Sequence, residues 1–354
     1  QPGSTMKPFL YALALEKGWT PAQVLIDEPL STAVGRGLHS VRNYSRTHYG
    51  PITLRSALGN SLNVPAVKTA KYVGTGMLLQ RLKTLGITSL HESADHYGEG
   101  LALGSGEVSL FELVQAYTVF AKQGFVQPLR MLQVEPHLSA GALGTAPVFE
   151  SEVTSQIADI LADPKARSLE FGRGSILNFQ SPVAVKTGTS TDFRDAWAIG
   201  FNSRYLVGVW TGRTDGAATL GNSGAKLPAL ILRSLWAEME KLGLEAGPLP
   251  IHPRLTPVDV CFLRSSAEVT LADESCARYT EYFLPESVGL FKNAKSASAV
   301  EAAESGNSKA LLENFEIRFP ISHLEIALDP RIPRSRQELK FEVSDLSISR
   351  PSDQ

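Results

Sequence analysis

The chain has 354 residues, 43% of them hydrophobic and 20% charged, with a formal net charge of −2. That length predicts about two domains with enough apolar content for a buried core. The near-neutral balance, without a long Lys/Arg run, excludes the basic footprint of a nucleic-acid binder, and no stretch reaches the roughly 18 uninterrupted apolar residues of a membrane span.

The chain opens QPGSTMKPFLYALALEKG, with neither an initiator methionine nor a signal peptide, so it is expected to be a piece of something longer. Residues 4–17 read as a helix, with Phe9, Leu10, Leu13 and Leu15 at near-helical spacing and Gly18 ending the run. Pro8 cannot donate to the Ser4 carbonyl, so a tight first turn is expected. Residues 53–73 read as two helices broken at GNSLN, followed by helices near 107–122 and 150–163. Short Val/Ala/aromatic runs at 183–189, 194–201 and 204–212 then predict three strands, and a helix is expected at 226–242. Helices, antiparallel strands and a closing helix give an α+β class: an antiparallel sheet flanked by helices. Residues 1–245 are taken as one domain and 246–312 as a proline-rich, then Ala/Ser-rich, connecting region. Residues 313–354, again in short alternating runs, read as the start of a small C-terminal β module.

Three motifs carry chemistry. Ser4-x-x-Lys7 sits where a helix starts, and its lysine lies on the same helical face as the serine. A hydroxyl there lies among free backbone N–H groups, and a partly buried lysine can lose its proton and serve as its base; on these four residues alone an N-cap serine with a solvated lysine is the readier reading. A second copy, Ser223-x-x-Lys226, is read as accidental. Asn60-Ser61-Leu62-Asn63 occupies a loop between helices and by itself reads more readily as a helix cap. Lys186-Thr187-Gly188-Thr189 interrupts an apolar strand, where a glycine marks close approach of a backbone or ligand and the cation and hydroxyls suit a carboxylate. Cys261 and Cys276 fit neither a zinc site nor a C-x-x-C redox motif. They read as two buried thiols or as one disulfide, which requires an oxidising compartment.

The order Ser4-x-x-Lys7, Ser61-x-Asn63, Lys186-Thr187-Gly188 is that of penicillin-binding proteins and class A β-lactamases. Over residues 1–245 the chain resembles the transpeptidase domain of class A penicillin-binding proteins. QPGSTMKPF and LALGSGEVSLFELVQAYTVFAKQG are similar to that family's segments, and VKTGTSTDFRDAWAIGFNSRYLVGVWTGR is most similar to its 1C subfamily. The cysteine-bearing region and the strand-rich tail resemble the same subfamily's C-terminal extension. The resemblance implies a D,D-transpeptidase that releases the terminal D-Ala of a peptidoglycan stem peptide and passes the acyl group to a neighbouring amine. Ser4 would be the acylated nucleophile, Lys7 its base, and Ser61 the proton relay to the leaving amine. Asn63 would hold the substrate amide; Lys186, Thr187, Gly188 and Thr189 would line the carboxylate site. The backbone N–H groups of Ser4 and Thr189 would form the oxyanion hole. Implied partners are D-Ala-D-Ala stem peptides, β-lactams and, through the C-terminal module, cell-wall synthesis proteins; no nucleic acid, metal or cofactor is called for. The resemblance also implies the periplasmic face of the bacterial inner membrane, with an anchor, two further sheet strands and a glycosyltransferase domain upstream of Gln1.

The alternatives are a D,D-carboxypeptidase or a β-lactam-sensing domain. A β-lactamase fits less well, because no E-x-x-L-N stands between Asn63 and Lys186, and Glu112 and Glu150 lie in unrelated contexts. His91-Glu92-Ser93-Ala94-Asp95-His96 misses the H-E-x-x-H zinc motif by one position and reads as a polar surface loop.

Overall fold

The computed structural model describes residues 1–34, 37–130, 146–219, 221–244, 246–273, 276–288, 315–319 and 342–345. Gln1–Gly289 form one compact unit and Leu290–Gln354 a second. The first unit begins with α1 (Lys7–Glu16), β1 (Val24–Asp27), β2 (Leu30–Val34), β3 (Gly37–Val41) and β4 (Gly50–Thr53). Helices α2 (Leu54–Gly59), α3 (Asn63–Val73), α4 (Thr75–Thr84), α5 (Ala94–Tyr97), α6 (Leu110–Ala121), α7 (Ser151–Ala162) and α8 (Ser168–Phe171) follow. Then come β5 (Ala184–Thr189), β6 (Asp195–Phe201), β7 (Leu206–Gly212), α9 (Leu227–Lys241), β8 (Thr256–Leu263), β9 (Glu268–Leu271) and β10 (Arg278–Phe283). In the second unit β11 (Phe315–Phe319) pairs antiparallel with β12 (Glu342–Asp345). The Ala/Ser-rich stretch at 294–309 lies outside the described residues.

Strands β5, β6 and β7 form an antiparallel sheet in that order, with β5 at an edge. Side chains alternate between its faces. Ala184, Trp197, Ile199 and Phe201 join the core shared with the helices, whereas Val185, Ala198 and Val209 pack with Ala229, Leu232 and Trp236 of α9. Helix, sheet and helix thus form successive layers. Lys186 and Gly188 share the face of Ala184, towards the main helical core. That core is built around α1, which is buried all round from Lys7 to Leu15, as befits a helix apolar on every side. Phe9 meets Tyr117 edge-on and lies tilted against Phe120, each at a ring separation of 5.1 Å. The tight first turn expected from Pro8 is present: Gly3–Met6 is a 3-10 turn, and the Lys7 N–H takes up the Ser4 carbonyl that Pro8 cannot reach.

Two regions differ from the sequence reading. β1 to β4 were not anticipated; they are four or five residues long and pair only as two-stranded ribbons, β1 with β4 and β2 with β3, too short for alternation to register. Residues 246–289, read as part of a connecting region, belong instead to the first compact unit and carry the three-stranded sheet β10-β8-β9. Polar contacts hold it there. The Arg55 guanidinium of α2 forks onto Glu281 of β10 at 2.7 and 2.5 Å and also meets Asp159 of α7 and Asp163 just past its end. Gln156 of α7 donates to the Tyr282 carbonyl at 2.8 Å. Cys261 of β8 is paired in a disulfide with Cys276, which lies just before β10, their Cα atoms 6.0 Å apart.

Candidate active site

A cavity of about 1220 Å³ lies between the edge of β5 and the loops before α1 and α3. Ser4, Ser61, Asn63, Thr187, Gly188 and Thr189 all line it. The chain before Ser4 can lie against β5 only because position 188 has no side chain: a Cβ there would come within 2.3 Å of the Pro2 carbonyl oxygen and 2.8 Å of Thr5. Gly188 is therefore accounted for by close backbone approach, without invoking a ligand. Tyr117 of α6 fixes the same turn, its hydroxyl donating to the Thr5 carbonyl at 2.6 Å.

Lys7 and Lys186 are buried behind the cavity wall, 0% and 2% exposed. Lys7 Nζ donates to the Ser61 carbonyl at 2.5 Å and to Asn63 Oδ1 at 2.7 Å. Lys186 Nζ donates to Ser61 Oγ and to its neighbour's carbonyl at Thr187, both at 2.8 Å. Ser61 thus stands between two lysines that are distant in sequence, and its backbone is left-handed, with φ of +59°. That conformation is uncommon outside glycine. It breaks the chain between α2 and α3 and presents carbonyl and hydroxyl to different lysines. Burial lowers both ammonium pKa values. Desolvation first, then the charge of Lys186, holds Lys7 well below its ordinary value, with Glu170 opposing. Desolvation, then the nearby Arg167 guanidinium, brings Lys186 down to about 7. A neutral lysine retains two N–H donors and one lone pair. Both hydrogen bonds of Lys7 can therefore persist while its nitrogen accepts a proton from a group at the start of the same helix.

Several residues that the motifs do not flag shape this wall. Asn43 Oδ1 accepts from the Asn63 N–H at 2.8 Å, and its amide donates to the buried Asp27 carboxylate and to the Thr47 carbonyl. Asn60 donates to the Ala166 carbonyl at 2.6 Å and accepts from the Leu169 and Glu170 N–H groups, tying the Ser61 loop to α8. Glu170 also lines the cavity, but its carboxylate is engaged by the Ser45 hydroxyl at 2.7 Å and the Tyr49 hydroxyl at 3.1 Å. Spacing could not reveal Asn43, Glu170 or Arg167, because each comes from a segment with no periodic signal. Ser223 and Lys226, read as an accidental copy, lie at the cavity as well; Lys226 Nζ donates to the Gly221 carbonyl at 2.9 Å. The His91–His96 stretch is not a plain loop. Ser93 caps the short helix α5, and both histidines line the cavity.

Residues 1–222 match the family model described as the penicillin-binding protein transpeptidase domain. Penicillin-binding protein 1C of Escherichia coli (strain K12) is 37% identical over 224 residues, 63% of this chain and 27% of that protein. The chain thus spans about a quarter of that relative's length. Among solved structures, penicillin-binding protein 1A from Haemophilus influenzae superposes with a TM-score of 0.61 at 24% identity, covering 79% of this chain and 48% of that one. PonA1 from Mycobacterium tuberculosis superposes with a TM-score of 0.59 at 22% identity, covering 71% of each chain. The fold is shared with both, and over the segment that brings all three motifs to one cavity the chain belongs to the penicillin-binding protein transpeptidase family.

Proposed function

We propose that the chain is a peptidoglycan D,D-transpeptidase acting through an acyl-enzyme on Ser4, and that β-lactams acylate the same residue. One observation carries this reading: two buried lysines with lowered pKa values converge on Ser61 beside the Ser4 turn. Ser4 Oγ attacks the carbonyl of the penultimate D-Ala while its proton passes to Lys7 Nζ. The Ser4 and Thr189 N–H groups stabilise the oxyanion, usually the largest single contribution to such a reaction. The C–N bond then breaks, the leaving D-Ala amine takes a proton through Ser61, and Asn63 holds the substrate amide. Thr187 and Thr189 at the cavity receive the terminal carboxylate, with Lys186 behind them supplying positive charge and polarising Ser61 Oγ. A neighbouring stem's amine next attacks the ester carbonyl and frees Ser4. The Cys261–Cys276 disulfide favours an oxidising compartment such as the periplasm.

Incubation with a fluorescent penicillin followed by mapping of the labelled peptide tests the reading. Stoichiometric label on Ser4, absent from Ser4→Ala and discharged faster by added amine acceptors, is expected. A stoichiometric adduct that survives Ser4→Ala would falsify it.

A further inference from the structure

Residues 42–49 cross from one wall of the cavity to the other. Asn43 bonds the backbone of Asn63, and Ser45 and Tyr49 bond Glu170 of α8. Between them Tyr44, 64% exposed, reaches out to Phe193 in the turn that follows β5. The two rings meet edge-on at 6.5 Å with an interplanar angle of 80°, and both line the cavity that holds Ser4. So exposed a tyrosine contributes little to a core, so fold stability does not explain the contact. The partner's backbone is more unusual still. Asp192 and Phe193 are consecutive non-glycine residues with φ of +59° and +56°, a conformation that for a bulky residue persists only where its surroundings impose it. Here the Phe193 carbonyl accepts from the Thr219 N–H at 3.0 Å and from the Thr219 hydroxyl. The base of the turn is closed by the Ser190 N–H to the Asp195 carbonyl at 2.9 Å and the Asp195 N–H to Ser190 Oγ at 2.8 Å.

Resting on the acyl-transfer reading, we propose that Tyr44 and Phe193 form an aromatic roof that determines substrate length, gripping an extended peptide donor upstream of its scissile bond. β5 is an edge strand, so an extended peptide can run along it, and Phe193 stands just beyond its Thr189 end. A donor acylating Ser4 while paired with that edge must extend along it past the scissile bond. Its upstream residues then pass under the two rings, while a bare D-Ala-D-Ala end stops short of them. The face of each ring suits aliphatic side chains and backbone, and the edge-on contact must part to admit them, so the two rings act as one unit.

The test is binding in the full chain carrying Ser4→Ala, followed by chemical-shift titration with an N-acetylated pentapeptide ending in D-Ala-D-Ala and with N-acetyl-D-Ala-D-Ala. Tyr44→Ala and Phe193→Ala are each expected to weaken the pentapeptide about tenfold, the double variant no further, with the short peptide changed far less. Phe193→Leu keeps apolar bulk in the turn and is expected to fall between, which separates loss of the ring from loss of the fold. Equal losses for both peptides, fully additive losses, or no loss would overturn the roof. Penicillin labelling of the chain with Ser4 intact is read separately. Absence of label on Ser4 refutes acyl transfer, while the peptide ratio still decides the roof.

Discussion

Lys7 and Lys186 are the residues at which sequence chemistry and burial meet. Each is a lysine the fold keeps out of water, and each is satisfied by Ser61 rather than by a carboxylate. Lys7→Ala should slow acylation by penicillin by about 10²- to 10⁴-fold, the usual worth of a general base; stopped-flow acylation at an unchanged rate would refute its role. Lys186 titrates near 7 in the folded protein and near 10.5 as a free lysine. Between those values the unfolded chain holds the extra proton, so stability rises with pH across that window, and below about 7 the full cost of burying the charge is present. Lys186→Met should flatten the rise of melting temperature from pH 7 to 10 while impairing turnover of carboxylate-bearing substrates. A variant that acylates normally, with an unaltered pH–stability slope, would contradict both statements. At this scale the motif residues were legible because their types are chemically costly in an apolar strand or at a helix start. Asn43 and Glu170 were not, since an Asn or Glu in a loop carries no such cost.

Among the elements, α6 shows how one carboxylate can join a helix to its neighbourhood. Ser109 and Glu112 form a capping box, and Glu112 also accepts from the Thr88 and Ser89 N–H groups and hydroxyls. Partial desolvation raises its pKa, but the hydrogen bonds from Ser109, Ser89 and Thr88 prevail and bring it down to about 2. Because the folded value lies below the unfolded one of 4.5, this stabilisation is complete above about 4.5 and is lost as pH falls towards 2. Glu112→Gln should cost about 1 kcal/mol at neutral pH and weaken the acid dependence in that window, measured by urea denaturation at several pH values. An identical acid profile would remove Glu112 from the account. The helices and the three sheet strands could be anticipated because each offers several turns or pleats of one period. The four- and five-residue strands β1 to β4 could not, as their pairing is decided by partners and not by their own alternation.

Across the whole first unit, the sheet β8–β10 is attached to the half that holds the cavity by a buried ionic cluster. Arg55 is 4% exposed and Glu281 0%. Desolvation pushes the Glu281 carboxyl up, with Arg55 opposing. Breaking such a pair on one side strands the other charge, so Glu281→Ala should destabilise the protein by about 3–5 kcal/mol; a loss under about 1 kcal/mol by chemical denaturation would show the cluster to be dispensable. Reduction of the Cys261–Cys276 disulfide, a sequence separation of 15, should remove about 3 kcal/mol in the chain-entropy view, and an unchanged unfolding midpoint under reductant would deny it that role.

By itself the sequence determined which residue types stand in the three motifs and which segments form long helices and the central strands, because hydroxyl, amine and periodicity are local properties of the chain. Tertiary structure alone decided that Lys7 and Lys186 both end on Ser61, that Gly188 serves the approach of Pro2, that residues 246–289 belong with the half that holds the cavity, and that Tyr44 meets Phe193 over the groove. Each of these is a contact between segments far apart in sequence. Its energy depends on burial and distance, and neither exists until the chain has folded.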